Sequence, residues 1–155
     1  IMKLSTELDK YNNIGIDLDE TLINTDKAFF IAKYIINNPD KNYYIVTFRS
    51  HGLEEKNRVF NSLMTYLRVD MRKYFINIIS IPYEDYENKH IANVQKGVIS
   101  KEKYDSLLYN YLHFKGKRCK ELGIEVLIDD DIKGVILGCT KYNIPLINTN
   151  EISSL

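Results

Sequence analysis

The sequence predicts an α/β fold: a doubly wound, Rossmann-like parallel sheet of about five strands, with helices on both faces. Three observations carry this. Five short apolar runs punctuate the chain, segments with helical spacing separate them, and each run is nearly continuous rather than alternating. Continuous apolar strands suit a sheet covered on both sides. The runs are Ile14–Leu18, Tyr43–Phe48, Phe75–Pro82, Val126–Ile128 (opening at Ile124) and Pro145–Ile147. Between the first two, Thr25–Asn38 spaces Ala28, Phe29, Ala32, Ile35 and Ile36 as one apolar helix face. Glu54–Val69 does the same with Val59, Phe60, Leu63 and Leu67. Residues 101–113 and 115–122 read as one helix, or as two broken near Gly116, and Ile132–Tyr142 as another. Residues 83–113, rich in Tyr and Lys, are the least legible stretch: a helix with a solvated face, with room for a modest lid.

The 155 residues carry 21 basic and 21 acidic side chains, for zero net charge. One domain spanning 1–155 is the expectation at this length, with no linker or repeat to divide it. Charge balance disfavours nucleic acid as a partner. No apolar run is long enough to cross a membrane, and residues 1–10 are too polar for a signal peptide. Cys119 and Cys139 share no metal or redox spacing, so both are expected as reduced, buried thiols of a cytoplasmic protein.

The chemistry lies at the strand ends, where doubly wound sheets bind ligands. The first strand runs into Asp17, with Asp19 and Thr21 just beyond it. The second ends at Thr47, and the fourth delivers Asp129, Asp130 and Asp131. Two carboxylates 4 Å apart repel by about 4 kcal/mol at an effective dielectric of about 20. Such a cluster shifts its pKa values upward or recruits a cation, and hard oxygen donors favour Mg²⁺. Taken singly, Asp19 reads equally as a helix N-cap and the aspartate triplet as a turn. Together, on successive edges of one sheet, they read as a site.

These residues resemble the motifs of the haloacid dehalogenase-like phosphohydrolases, and "IDLDETL", "TFRS" and "CKELGIEVLIDDD" look most like the small 5′-nucleotidase, deoxyribonucleotidase-like branch. Asp17, Asp19 and Thr21 match the first motif, Thr47 the second, a lysine before the fourth strand the third, and Asp129 and Asp130 the fourth. The resemblance implies a phosphatase that hydrolyses a small phosphomonoester, preferably a nucleoside monophosphate, through an aspartyl-phosphate. Asp17 would be the nucleophile and Asp19 the general acid and base. Mg²⁺ would be held by Asp17, the Asp19 backbone carbonyl, and Asp129 or Asp130. Thr47 and the lysine would bind phosphoryl oxygens. Lys115, Lys117 and Lys120 compete for the lysine role. If 114–122 is one helix, Lys115, Cys119 and Leu122 share a stripe facing the sheet, whereas Lys117 pairs with Glu121 in solvent. A lysine in that first turn would oppose the helix dipole.

Phe48 and Arg49, which follow Thr47, are expected at the substrate, Arg49 near the leaving group together with His51. His51, His90 and His113 otherwise read as surface or loop residues, and Phe29 and Phe30 as core. The interval from Asp19 to Thr47 is spent on one helix and a strand, which predicts little or no cap domain. Other expected partners are limited to a second copy of the chain. Alternative functions are a phosphatase for a nucleic-acid end or other macromolecular phosphate, a phospho-accepting receiver-like module, and a non-catalytic binding module.

Overall fold

A computed structural model describes residues 1–49 and 53–155, with the backbone alone for Leu53 and Glu54; His51 lies outside the described residues. The architecture is the α/β fold expected. Strands β2 (Asn13–Ile16), β3 (Asn42–Thr47), β4 (Phe75–Ser80), β5 (Val126–Asp129) and β6 (Leu146–Asn148) form one parallel sheet. Its order is β4-β3-β2-β5-β6. The chain builds outward from β2 through β3 to β4, then returns to place β5 on the other side of β2. The topological switch point therefore lies at β2, between β3 and β5, where the carboxyl ends of three neighbouring strands open a crevice.

Strand side chains alternate between two cores. Ile14, Ile16, Tyr43, Ile45, Val126 and Ile128 face one, packed by α1 (Leu4–Leu8), α2 (Lys27–Asn37) and α3 (Leu53–Leu67). Val46 and Leu127 face the other, packed by Phe114 and Cys119 of α5 (Lys101–Glu121) and Val135 and Cys139 of α6 (Ile132–Lys141). Gly15 points into this second core, where a Cβ would sit 3.1 Å from Ile124 and 3.3 Å from Val46.

Three stretches differ from their sequence reading, and a fourth, residues 101–121, takes the first of its two alternatives. Phe75–Ser80 is the edge strand, covered less fully than its apolar run suggests, and Ile76 is 55% exposed. Residues 101–121 form one unbroken helix. Gly116 is no break; it lets α5 cross α6, since a Cβ there would lie 2.2 Å from the backbone of Gly138. Lys115 is thus deep inside a long helix, and the first-turn dipole cost does not arise. Residues 83–113 divide into α4 (Tyr83–Val94) and the first half of α5. The third difference is at the termini, where β1 (Met2–Lys3) pairs in parallel with β7 (Ile152–Ser154) beside α2. Lys27 Nζ also donates to the Ile152 carbonyl. These strands are too short for periodicity to announce.

Side-chain expectations divide as well. Cys119 and Cys139 are buried free thiols. Phe29 is not core: it is 51% exposed and lies against Tyr66, ring centroids 5.4 Å apart. His90 is exposed, whereas His113 is half-buried, its backbone forming the surface that Gly138 packs upon.

Candidate functional site

The ladder between β2 and β5 continues one residue past β2, where Asp17 N–H donates to Ile128 O at 2.9 Å. Asp17 is therefore fixed by the sheet itself. The chain then turns sharply: Leu18 O accepts from the amides of Thr21, Leu22 and Ile23, with Glu20 in the left-handed region at φ 58°. This turn sends Asp17 and Asp19 to different neighbours. Lys115 Nζ, from α5, donates to Asp17 Oδ1 at 2.8 Å and to Asp129 Oδ2 at 2.7 Å. All three side chains are at least nine-tenths buried.

Lys117 and Lys120 are exposed, which leaves Lys115 as the lysine of the cluster. The helical stripe expected for it holds, with Cys119 buried one turn on. The expected partner of Lys117 does not: Glu121 pairs with Arg118 at 2.6 Å instead.

Asp17, Asp129 and Asp130 each bring a carboxylate oxygen within 4.8 Å of the others. Thr21 ties this group together. Its hydroxyl lies 3.4 Å from Asp17 Oδ2, 3.3 Å from Asp130 Oδ1 and 2.9 Å from the hydroxyl of Thr149, which is fully buried after β6. Thr149 was not singled out from the sequence; the only signal is a hydroxyl residue just past the last apolar run. Asp131 resolves to the structural reading, since its side chain caps α6 by accepting from Gly134 N–H at 3.2 Å.

One ammonium bridges two of three clustered carboxylates, and the electrostatics show the imbalance. Burial pushes Asp17 up to about 6, with Lys115 pulling the other way and Asp130 adding to the rise. Burial likewise lifts Asp129 to about 6 against Lys115. Burial also works against the charge of Lys115, but Asp17 and Asp129 outweigh it and hold the ammonium above the ordinary lysine range. Lys115 thus stays charged, and the carboxylates retain surplus negative charge. The donors are all hard oxygens, which fits a divalent cation of the Mg²⁺ kind.

Asp19 is neither an N-cap nor part of the acidic group. Arg49 grips it through both oxygens, Nε to Oδ2 at 3.0 Å and Nη2 to Oδ1 at 2.7 Å, and reaches Glu55 at 3.5 Å. This fork raises the Arg49 pKa further, the Asp19 hydrogen bonds being the largest cause. Thr47, buried at the tip of β3, accepts from Arg49 N–H at 3.0 Å. Phe48 stacks on Tyr111 with centroids 4.2 Å apart, and Lys115 Nζ lies 4.3 Å from the centre of the Phe48 ring. The ring face adds a cation–π contact to the buried ammonium.

No known family model, curated protein or solved structure matches this chain. The reading of the site therefore rests on its own residues. Five separate segments converge on it: the turn after β2, the tip of β3, the end of β5, the C-terminal half of α5 and the turn after β6. The α4–α5 hairpin adds Tyr86 and Tyr111, so part of the illegible stretch lies beside the site. A cavity of about 360 Å³ opens among Asp19, Phe48, Arg49, Glu55 and Tyr86, on the Asp19 side of Phe48.

Proposed function

We propose that this chain is a Mg²⁺-dependent phosphomonoester hydrolase of the haloacid dehalogenase-like kind, acting on a small phosphorylated substrate, by preference a nucleoside monophosphate. The observation that carries the reading is the Lys115 ammonium bridging Asp17 and Asp129, with Asp130 alongside, at the switch point of a parallel sheet. A structural ion pair would need one carboxylate. Three clustered carboxylates with one lysine bridging two of them leave negative charge for a metal to balance and a phosphate to exploit.

In this reading Lys115 occupies Asp17 Oδ1 and leaves Oδ2 as the attacking oxygen, steadied by the Thr21 hydroxyl. Attack forms the Asp17–phosphorus bond and breaks the ester bond, and the departing oxygen takes a proton from Asp19 once that carboxylate has opened from the Arg49 fork and taken up a proton from water. Asp19 then removes a proton from water, whose oxygen displaces the phosphoryl group and restores Asp17. Thr47 spends a lone pair on Arg49 N–H, so its hydroxyl hydrogen stays available for a phosphoryl oxygen. Asp17, Asp129 and Asp130 would hold Mg²⁺, which supplies charge neutralisation as nucleophile and phosphate approach. The Asp19 carboxylate is occupied by Arg49, so it would contribute to the metal only through its backbone carbonyl.

The test is a panel of phosphomonoesters assayed in millimolar Mg²⁺ and in EDTA. Hydrolysis that requires Mg²⁺ and reaches its highest kcat/KM on nucleoside monophosphates supports the proposal. Equal rates in both buffers, or no hydrolysis of any member, would overturn it.

A further inference from the structure

The fork that holds Asp19 has a further partner. Arg49 gives Nε and Nη2 to Asp19, and its remaining nitrogen, Nη1, reaches Glu55 Oε1 at 3.5 Å. Glu55 lies in the first turn of α3, and its other oxygen sits 3.6 Å from Arg58, three residues along the same helix. Asp19, Arg49, Glu55 and Arg58 thus form a row in which the charges alternate. The first three line one cavity of about 360 Å³.

The two contacts of the Arg49 guanidinium are unequal. Both oxygens of Asp19 are gripped, the closer at 2.7 Å, whereas the Glu55 contact is longer than a typical N–H···O bond. The rise in the Arg49 pKa has the same order: the Asp19 hydrogen bonds contribute most, and Glu55 less.

An acid or base at Asp19 needs a free oxygen, and the fork leaves neither free. The backbone of this turn is tied down, since Leu18 O accepts from three amides and Asp19 bridges to Ile23. Side-chain rotation is therefore what opens the fork. In an isolated pair that rotation would strip a half-buried guanidinium of its carboxylate, which is costly. Glu55 changes this. A guanidinium turning from Asp19 toward Glu55 shortens a contact it already has and keeps a charge-assisted partner throughout. Arg58 steadies the receiving carboxylate from the other side.

We propose that Glu55 is a positioning residue that takes the Arg49 guanidinium from Asp19 during turnover and so releases the Asp19 carboxylate to the leaving oxygen. The handover exchanges hydrogen bonds only, and the proton still reaches the leaving oxygen from Asp19. The inference rests on the hydrolase reading and deepens it, because the acidic cluster itself calls for no carboxylate at position 55.

The test compares kcat/KM for thymidine 5′-monophosphate, whose leaving oxygen needs a proton, with that for p-nitrophenyl phosphate, whose leaving group departs without one. Glu55→Gln should lower the first about tenfold and leave the second within about twofold. In an Arg49→Gln background, adding Glu55→Gln should leave the ratio of the two unchanged, because the fork is gone. An equal fall for both substrates, no fall for either, or the same change in ratio without Arg49 would overturn the inference. Hydrogen exchange at Arg49 Nε, followed by NMR, reads the handover without turnover. It should be several-fold slower in Glu55→Gln than in wild type, since the fork opens less often; equal or faster exchange would overturn the inference. Slower exchange together with no hydrolysis of either ester by wild type would sink the hydrolase reading and keep the handover.

Discussion

Lys115 is the residue on which the site turns, and its removal has consequences beyond lost activity. Lys115→Met leaves Asp17 and Asp129 buried without a counter-charge, an arrangement that typically costs about 3–5 kcal/mol. Asp17 and Asp129 already titrate near 6 in the folded chain, against about 3.8 for an ordinary aspartate. Protonation relieves the unpaired charge, so the variant's stability deficit should be largest near neutral pH and shrink toward pH 4. Turnover should fall by orders of magnitude, while Lys117→Ala should stay near wild type. Denaturation midpoints at several pH values, with kinetics, check both.

The same shifts govern the metal. Between about pH 4 and 6 the folded state binds more protons at Asp17 and Asp129 than the unfolded state does. Linkage then makes stability fall as pH rises through that window. Mg²⁺ competes with those protons, so its stabilisation should be small near pH 4 and full above about pH 6. Melting temperatures with millimolar Mg²⁺ and with EDTA across that range test the sign; a Mg²⁺ effect larger at the acid end would contradict it. At this scale the aspartates were legible because carboxylates ending apolar strands have no packing reason to be there. Thr149 and the Arg49–Asp19 fork were not, since each joins segments far apart in sequence.

Among the elements, the crossing of α5 and α6 decides where Lys115 points. Gly116 read as a helix weakness from composition, because glycine costs about 1 kcal/mol against alanine in a helix interior. Packing reverses that argument: a Cβ at 116 would lie 2.2 Å from Gly138 C and 2.3 Å from its O. Gly116→Ala should therefore lower the melting temperature despite its better helix propensity, overpacking costing about 1–3 kcal/mol or more. By moving α5 away from the sheet it should also reduce turnover, since Lys115 is the adjacent residue. A Gly116→Ala protein as stable and active as wild type would show that α5 and α6 cross with room for a methyl group at 116. Periodicity located the main strands and helices because their apolar faces are wide. It could not reveal this crossing, which depends on two glycines 22 positions apart meeting across helices.

For the whole molecule, the sheet order is what converts scattered motifs into one site. Strands β3, β2 and β5 are neighbours, so Thr47, Asp17 and Asp129 reach one edge together although long segments separate them in the chain. The alternation of strands and helices made the parallel sheet legible. The edge position of β4 and the pairing of β1 with β7 depend on the closed structure and were not. The central claim, that Asp17 attacks phosphorus, has one direct measurement: acid-quenching the protein during turnover of a radiolabelled phosphomonoester in Mg²⁺ and mapping the label. A phosphoryl group on Asp17, absent in EDTA, and no turnover by Asp17→Asn are the expected results. Near-normal turnover by Asp17→Asn, or label carried on another residue, would contradict it.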